Sequence, residues 1–355
     1  MTRHARDGNS VPTDTSADEL TFYSNGRGRK RKKLECHFAA RVATDAITLV
    51  EGPQGSGKTM CLCSVAAAIT GGPLLPGKAK KRDPGPFLWL AGERNYFRDI
   101  EPRLEAAGAN LKLMRHPHNR KTLKPVKWYF PGNAKLLERT IRDEGIKGVA
   151  LDVLLSHLGE KCSMNDPQQI RPVMEELDDI ARETDCAILA VRHWRKDFTG
   201  GPMDRGAGAA DIAGVATFVL AVAKVPGRED LHALVRFKGN READPPALAF
   251  TIEPFKKSAR IVWQGEYPIT AEELASGKLD TSDRLQSEIA ENLLRNVLTK
   301  EGVKYAEVWK LAFAAGVAER TLQRSMKKLG CQWRSMKDGD KKAYFWFPPE
   351  GGWRK

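Results

Sequence analysis

Eight consecutive residues, Gly52-Pro53-Gln54-Gly55-Ser56-Gly57-Lys58-Thr59, fit the pattern G-x-x-x-x-G-K-[ST] at every fixed position. The apolar run Ala46-Ile47-Thr48-Leu49-Val50 stands directly before them. A strand, a glycine-rich turn and a helix in that order make a cradle for phosphate. The glycines let backbone N–H groups point inward, and the helix N-terminus adds partial positive charge. Lys58 is expected to reach the β- and γ-phosphates, and the Thr59 hydroxyl to ligate Mg²⁺. The predicted nucleotide-binding segment runs Gly52, Pro53, Gln54, Gly55, Ser56, Gly57, Lys58, Thr59 and Met60, with ATP and Mg²⁺ as its cofactors.

Hydrolysis of a bound triphosphate needs a metal, a positioned water and positive charge on the transferring group. Three strand-like runs end in suitable residues. Lys147-Gly148-Val149-Ala150-Leu151-Asp152 ends in a carboxylate placed to hold the Mg²⁺ shell; a cap on the following turn is its other reading. Phe87-Leu88-Trp89-Leu90-Ala91-Gly92-Glu93 offers Glu93 as a general base, if its strand neighbours that of the loop. A solvated loop carboxylate fits Glu93 equally well. Ala187-Ile188-Leu189-Ala190-Val191 leads into Arg192-His193, where the histidine is either a γ-phosphate sensor or a satisfied structural residue.

The elements that must position these groups are visible in the pattern. Between about Leu34 and Val262, strand-like runs alternate with helical stretches, which predicts a mostly parallel α/β sheet. Strands are expected at 47–51, 87–91, 148–152, 187–191, 217–222, 231–238 and 247–253, and helices at 59–70, 100–107, 134–144 and 167–184. Ligands of such sheets gather at the carboxyl ends of the strands, where all three candidates lie.

The chain has 355 residues, enough for one large and one small domain. No apolar run reaches membrane-spanning length, and the polar start lacks a signal peptide's apolar stretch, so a soluble cytoplasmic protein is expected. Six scattered cysteines without a C-x-x-C pair argue against a zinc site or a disulfide framework. The net charge is +13 and uneven. Arg27 to Lys33 is a basic block, within an arm over 1–33 whose first 20 residues read as disordered. Residues 300–355 carry thirteen Lys and Arg against six Asp and Glu. That asymmetry suggests a polyanionic partner, with a solubilising surface as the alternative.

Beyond a charged linker at 264–281 that holds a short helix at 271–275, the segment 282–355 reads as a winged helix. Leu285, Ile289, Leu293 and Val297 mark one helix face. Helices at 307–315 and 319–329 flank Gly316-Val317, and short strands at 332–336 and 343–347 flank the turn Lys337-Asp338-Gly339-Asp340. Arg320, Gln323, Arg324, Lys327 and Lys328 would face a DNA major groove, with Arg334, Lys337, Lys341 and Lys342 on the backbone; a protein–protein module is the other possibility. Trp333, Tyr344, Trp346 and Phe347 are expected in that unit's core rather than on a base-stacking platform.

The order P-loop, strand-Gly-Glu, strand-Asp, strand-Arg-His-x-x-Lys and a later Lys/Arg pair resembles the RecA-fold, AAA_25-like ATPases of the plasmid RepA hexameric helicase type, a group common on plasmids, phages and integrated elements. The resemblance covers roughly residues 30–255. It implies a RecA-like P-loop domain over 34–263, with Lys58 and Thr59 on phosphate and Mg²⁺. Glu93 would be the catalytic glutamate, Asp152 the Walker B aspartate and His193 the sensor. It also implies that Lys238 and Arg241, in Phe237-Lys238-Gly239-Asn240-Arg241, reach across a subunit interface to the neighbour's γ-phosphate, where a solvated turn is the plain alternative. Glu93 is followed by Arg94-Asn95 where the family usually has Asp-Pro, Val153 replaces a proline, 205–210 carries alanines in place of serine, and Thr217-Phe218 stands for Arg-Ser. Loops at 155–166 and 195–210, with Arg195, Lys196 and Arg205, would then face single-stranded DNA in a ring pore, or else be flexible surface. The expected activity is that of an ATP-driven, self-associating DNA motor with duplex DNA at the winged helix. The alternative is an ATP-dependent DNA-binding regulator or replication initiator that does not unwind.

Overall fold

The computed structural model describes residues 35–77, 82–122, 124–195, 205–239, 244–278, 281–338 and 341–353. The expected arm over 1–33, Lys196 and Arg241 lie outside the described residues.

After a short ribbon of β1 (Cys36–Phe38) and β2 (Val42–Ala43), the chain builds a large sheet from β3 (Ile47–Gly52) to β11. Between them come α1 (Lys58–Ile69), β4 (Phe87–Ala91), α2 (Glu101–Ala106), β5 (Met114–Arg115), α3 (Ala134–Glu144), β6 (Gly148–Asp152), α4 (Pro167–Thr184), β7 (Ala187–His193), α5 (Asp211–Val215), β8 (Phe218–Lys224), β9 (Leu231–Gly239) and β10 (Leu248–Phe255), with β11 at Ser258–Glu266. The strand order is β11-β10-β9-β8-β3-β7-β6-β4-β5. From β8 to β5 the strands run parallel; β9, β10 and β11 extend the sheet antiparallel.

Alternation along the strands builds two cores. Ile47 and Leu49 of β3, with Ile188 and Ala190 of β7, pack under α3, α4 and α5. Val50, Leu189 and Val191 point the opposite way and pack under α1 and α2. Central strands covered on both faces read as continuous apolar runs, which is why they were visible in the sequence. Cys61, Cys63 and Cys186 are buried as small core residues.

Strand β11 was not expected. The segment assigned to a linker begins within it and continues into α6 (Ala271–Ser276), whose Leu274 and Ala275 are buried. Leu274 joins an apolar cluster with Ala221 and Ala223 of β8 and Val235 of β9. Residues 264–276 are therefore packed structure continuous with the sheet.

Further along stand α7 (Thr281–Val297), β12 (Val303–Lys304), α8 (Tyr305–Ala314), α9 (Glu319–Lys328), β13 (Gln332–Asp338) and β14 (Lys341–Phe347). The three strands form an antiparallel sheet ordered β12-β14-β13. Ala290, Leu294, Leu298, Val308, Ala312, Val317, Leu322 and Met326 form the core of these helices. The buried seam of α7 is thus centred one residue beyond the expected 289–293–297 stripe, whose members are half-buried beside it. Trp333 is 58% and Tyr344 61% exposed, which overturns the expectation of core positions for both; Trp346 packs against the core. No helix among the described residues is long and apolar enough to cross a membrane.

Candidate nucleotide site

The loop between β3 and α1 has the conformation its glycines allow. Gly55 and Gly57 have φ of +77° and +94°, and a Cβ on Gly52 would run into the Val222 carbonyl oxygen. Gly57 caps α1, which leaves the first N–H groups of a twelve-residue helix open toward the loop's hollow. Pro53, Gln54 and Gly55 are exposed, Gly57 and Thr59 half-buried, and Ser56 and Met60 buried.

Lys58 is 4% exposed. Its ammonium folds back to donate to the Gly52 and Pro53 carbonyl oxygens, at 3.0 and 2.6 Å. Burial pulls its pKa from 10.5 to about 8, partly opposed by the Asp152 carboxylate. The Thr59 hydroxyl donates to an Asp152 carboxylate oxygen at 3.1 Å. Burial pushes the Asp152 carboxyl above the ordinary range, against the stabilising hydrogen bond from Thr59.

His193 ends β7 in register with Gly52, and the Trp194 N–H donates to the Gly52 carbonyl at 3.1 Å. Its Nδ1 is buried without a hydrogen-bond partner among the described residues. Burial, with the Lys58 charge next in weight, holds its pKa below the usual histidine value, so the ring is neutral in the free protein near pH 7.

The role of Glu93 as a base is conditional on its strand lying beside that of the loop, and that condition is not met. Instead β7 and β6 stand between β3 and β4. The β4–β6 pairing restores proximity by another route: Ala91 is in register with Asp152, and the Gly92 N–H donates to the Asp152 carbonyl at 2.8 Å. Glu93 is exposed, and its charge acts on Lys58, Asp152 and His193. Arg94 acts on the same three groups with the opposite sign.

The structure therefore brings together Lys58, Thr59, Asp152, Glu93 and His193 at the carboxyl ends of β3, β6, β4 and β7. Lys238, whose expected place is a neighbouring subunit's site, lies outside this cluster. Lys238 pairs with Val219, which lies toward the opposite end of β3. Its ammonium donates to the carbonyls of Ala213, Gly214 and Ala216, capping the end of α5.

Two features escaped the sequence reading. Glu51 and Arg192, one residue before Gly52 and His193, form a buried ion pair, with guanidinium-to-carboxylate distances of 2.7 and 2.9 Å. Their signal was a charge in the penultimate position of two apolar strands. A Cβ on Gly206 would collide with that guanidinium. The second is the wall that α6 provides: Leu274 to Gly277 face Pro53 to Ser56 and Arg205 across an open cleft of about 330 Å³.

Residues 37–198 match the family model of the AAA domain, AAA_25. This stretch holds the loop, Glu93, Asp152 and His193 on a mostly parallel α/β sheet, and the match supports an AAA-type P-loop ATPase domain. No curated protein matches the chain. The donor set also suits the metal such domains use. A hydroxyl and a carboxylate oxygen 3.1 Å apart can share one small hard cation. No cluster of three His, Cys, Asp or Glu side chains among the described residues offers a metal site by itself, and Mg²⁺ bound largely by phosphate and water needs none.

Proposed function

We propose that the chain is an ATP-hydrolysing, self-associating DNA motor of the RepA helicase kind, serving a plasmid, phage or integrated element, with a C-terminal winged helix that binds duplex DNA. The supporting observation is the convergence of a phosphate cradle, a hydroxyl–carboxylate pair, an acid and an unpartnered histidine at neighbouring strand ends.

In this reading the loop N–H groups and Lys58 take the β- and γ-phosphates, and Lys58 exchanges two loop carbonyls for phosphate oxygens. Thr59 and Asp152 would hold Mg²⁺, which supplies charge neutralisation at the phosphates. Glu93 accepts a proton from the attacking water, and His193 donates its unpartnered N–H to a γ-phosphate oxygen. Lys238, the strand-end cation, and Arg241 serve the neighbouring subunit's site, so turnover requires assembly. On α9 the exposed Arg320, Arg324 and Lys327 face the duplex, while Lys328 is paired with Glu291 of α7 at 2.6 Å.

Strand displacement on a forked duplex tests this reading. ATP-dependent separation, abolished by Glu93→Gln, is the expected result. Turnover and DNA binding without separation would replace the motor by a nucleotide-dependent DNA-binding regulator.

A further inference from the structure

Of the four aromatic residues expected inside the C-terminal unit, Trp333 and Tyr344 are exposed and, with the core-packed Trp346, line an open groove of about 490 Å³ between α9 and the β13–β14 hairpin. Tyr305, Gln323, Trp333, Tyr344 and Trp346 form it. Trp333 lies opposite Trp346 and Ser335 opposite Tyr344, so these side chains share one face of the hairpin. Trp333 and Tyr344 meet edge to face at 5.6 Å and 65°, and each residue is more than half exposed. The far side is braced: the Tyr305 hydroxyl donates to Glu319 at 2.9 Å, and Gln323 donates to the same oxygen at 3.4 Å.

Charge decides the occupant. Lys337 and Lys342 are paired on the same hairpin face, and Arg320 and Lys327 stand three and four residues either side of Gln323 on α9. Glu319, the carboxylate at the groove, is engaged by Tyr305 and Gln323. Protein interfaces enrich aromatic side chains but deplete lysine. Open rings flanked by cations suit a polyanion whose rings are also free to stack, and a duplex hides its base faces inside the helix.

We propose that this groove binds unpaired bases of single-stranded DNA, which stack on Trp333 and Tyr344 while the flanking cations hold the phosphates. The proposal rests on the reading of the C-terminal unit as a DNA-binding module, and adds a strand-selective site separate from the ring pore.

The test uses the full chain without nucleotide, by fluorescence anisotropy with labelled oligothymidylate and an abasic strand of equal length. The wild type is expected to prefer the base-bearing strand by on the order of tenfold. Trp333→Ala combined with Tyr344→Ala should abolish that preference, and the paired changes to Phe should keep it. Steady-state ATP turnover should be equal in all three. A preference that survives the alanine changes, or is absent from the wild type, overturns the groove. So does a change in oligomer size on those substitutions without a change in strand preference, which would make the groove a contact between copies. Duplex affinity distinguishes the two failures: if Arg320→Glu with Arg324→Glu leaves duplex binding intact, the DNA-binding reading of the whole unit fails with it.

Discussion

Around the P-loop the charges that matter are buried: Lys58 and Asp152 are about one-twentieth exposed, and Glu51 and Arg192 almost not at all. On α9 the equivalent charges, Arg320, Arg324 and Lys327, all stand in solvent. In the proposed function both regions meet phosphate, and they differ in what water does. Buried charges keep a fixed geometry, strong fields and shifted pKa values at a large cost in desolvation. Exposed charges are screened within about 10 Å at moderate salt and adapt to a backbone that presents many equivalent sites. One arrangement suits a reaction at a single atom, the other reversible grip on a polymer.

The sharpest break of this contrast is Lys58→Ala. Turnover measured by phosphate release should fall by on the order of 10³-fold, while duplex binding at the C-terminal unit persists. Turnover within a few-fold of wild type would remove Lys58 from the chemistry. Next in size is Arg192→Met, which strands the Glu51 carboxylate in the core. Removing one partner of a buried pair costs about 3–5 kcal/mol, so thermal unfolding should come at a clearly lower temperature. An unshifted transition would show that the pair contributes little. At the exposed end, Arg320→Glu with Arg324→Glu should weaken duplex binding by roughly tenfold or more and flatten its salt dependence by about two units of slope. An unchanged slope would place the DNA elsewhere.

The smallest effect is a proton. In the nucleotide-free protein Lys58 loses its charge as pH rises through about 8, below the ordinary 10.5. Its folded value is depressed, so burying the ammonium costs stability below pH 8, and that cost is relieved as the pH climbs toward 10.5. Bound phosphates favour the ammonium. Above pH 8, nucleotide binding should therefore take up a fraction of a proton, seen by calorimetry as a heat that depends on buffer ionisation. Lys58→Arg, always charged, should bind without that uptake. Buffer-independent heats in the wild type would contradict the shifted lysine.

The central strands β3, β4, β6, β7 and β8, with α1 and α4, could be read from the sequence because each is a continuous apolar run or a clear helical stripe. The phosphate loop was legible because its glycines and lysine are required in fixed order. Strand order was not, since no local pattern states which strand lies beside which: Glu93 reaches the site through β6 rather than from a strand next to β3. Strand β11 was hidden by its many half-exposed positions and by Arg260 and Glu266. Trp333 and Tyr344 were misplaced because aromatic content argues for burial when the neighbouring surface is unknown, and here they are exposed on the hairpin face that lines the groove.

The backbone on either side of Trp194 is zipped to the segment that follows the fourth of the site's strands. The Ala207 N–H donates to the His193 carbonyl at 2.8 Å, and the Arg195 N–H donates to the Arg205 carbonyl at 2.8 Å. The Arg205 guanidinium also lies over the Trp194 indole, 4.8 Å from its centre. Fastened at both edges, this clasp ties residues 205–207 directly to the strand end that carries the imidazole.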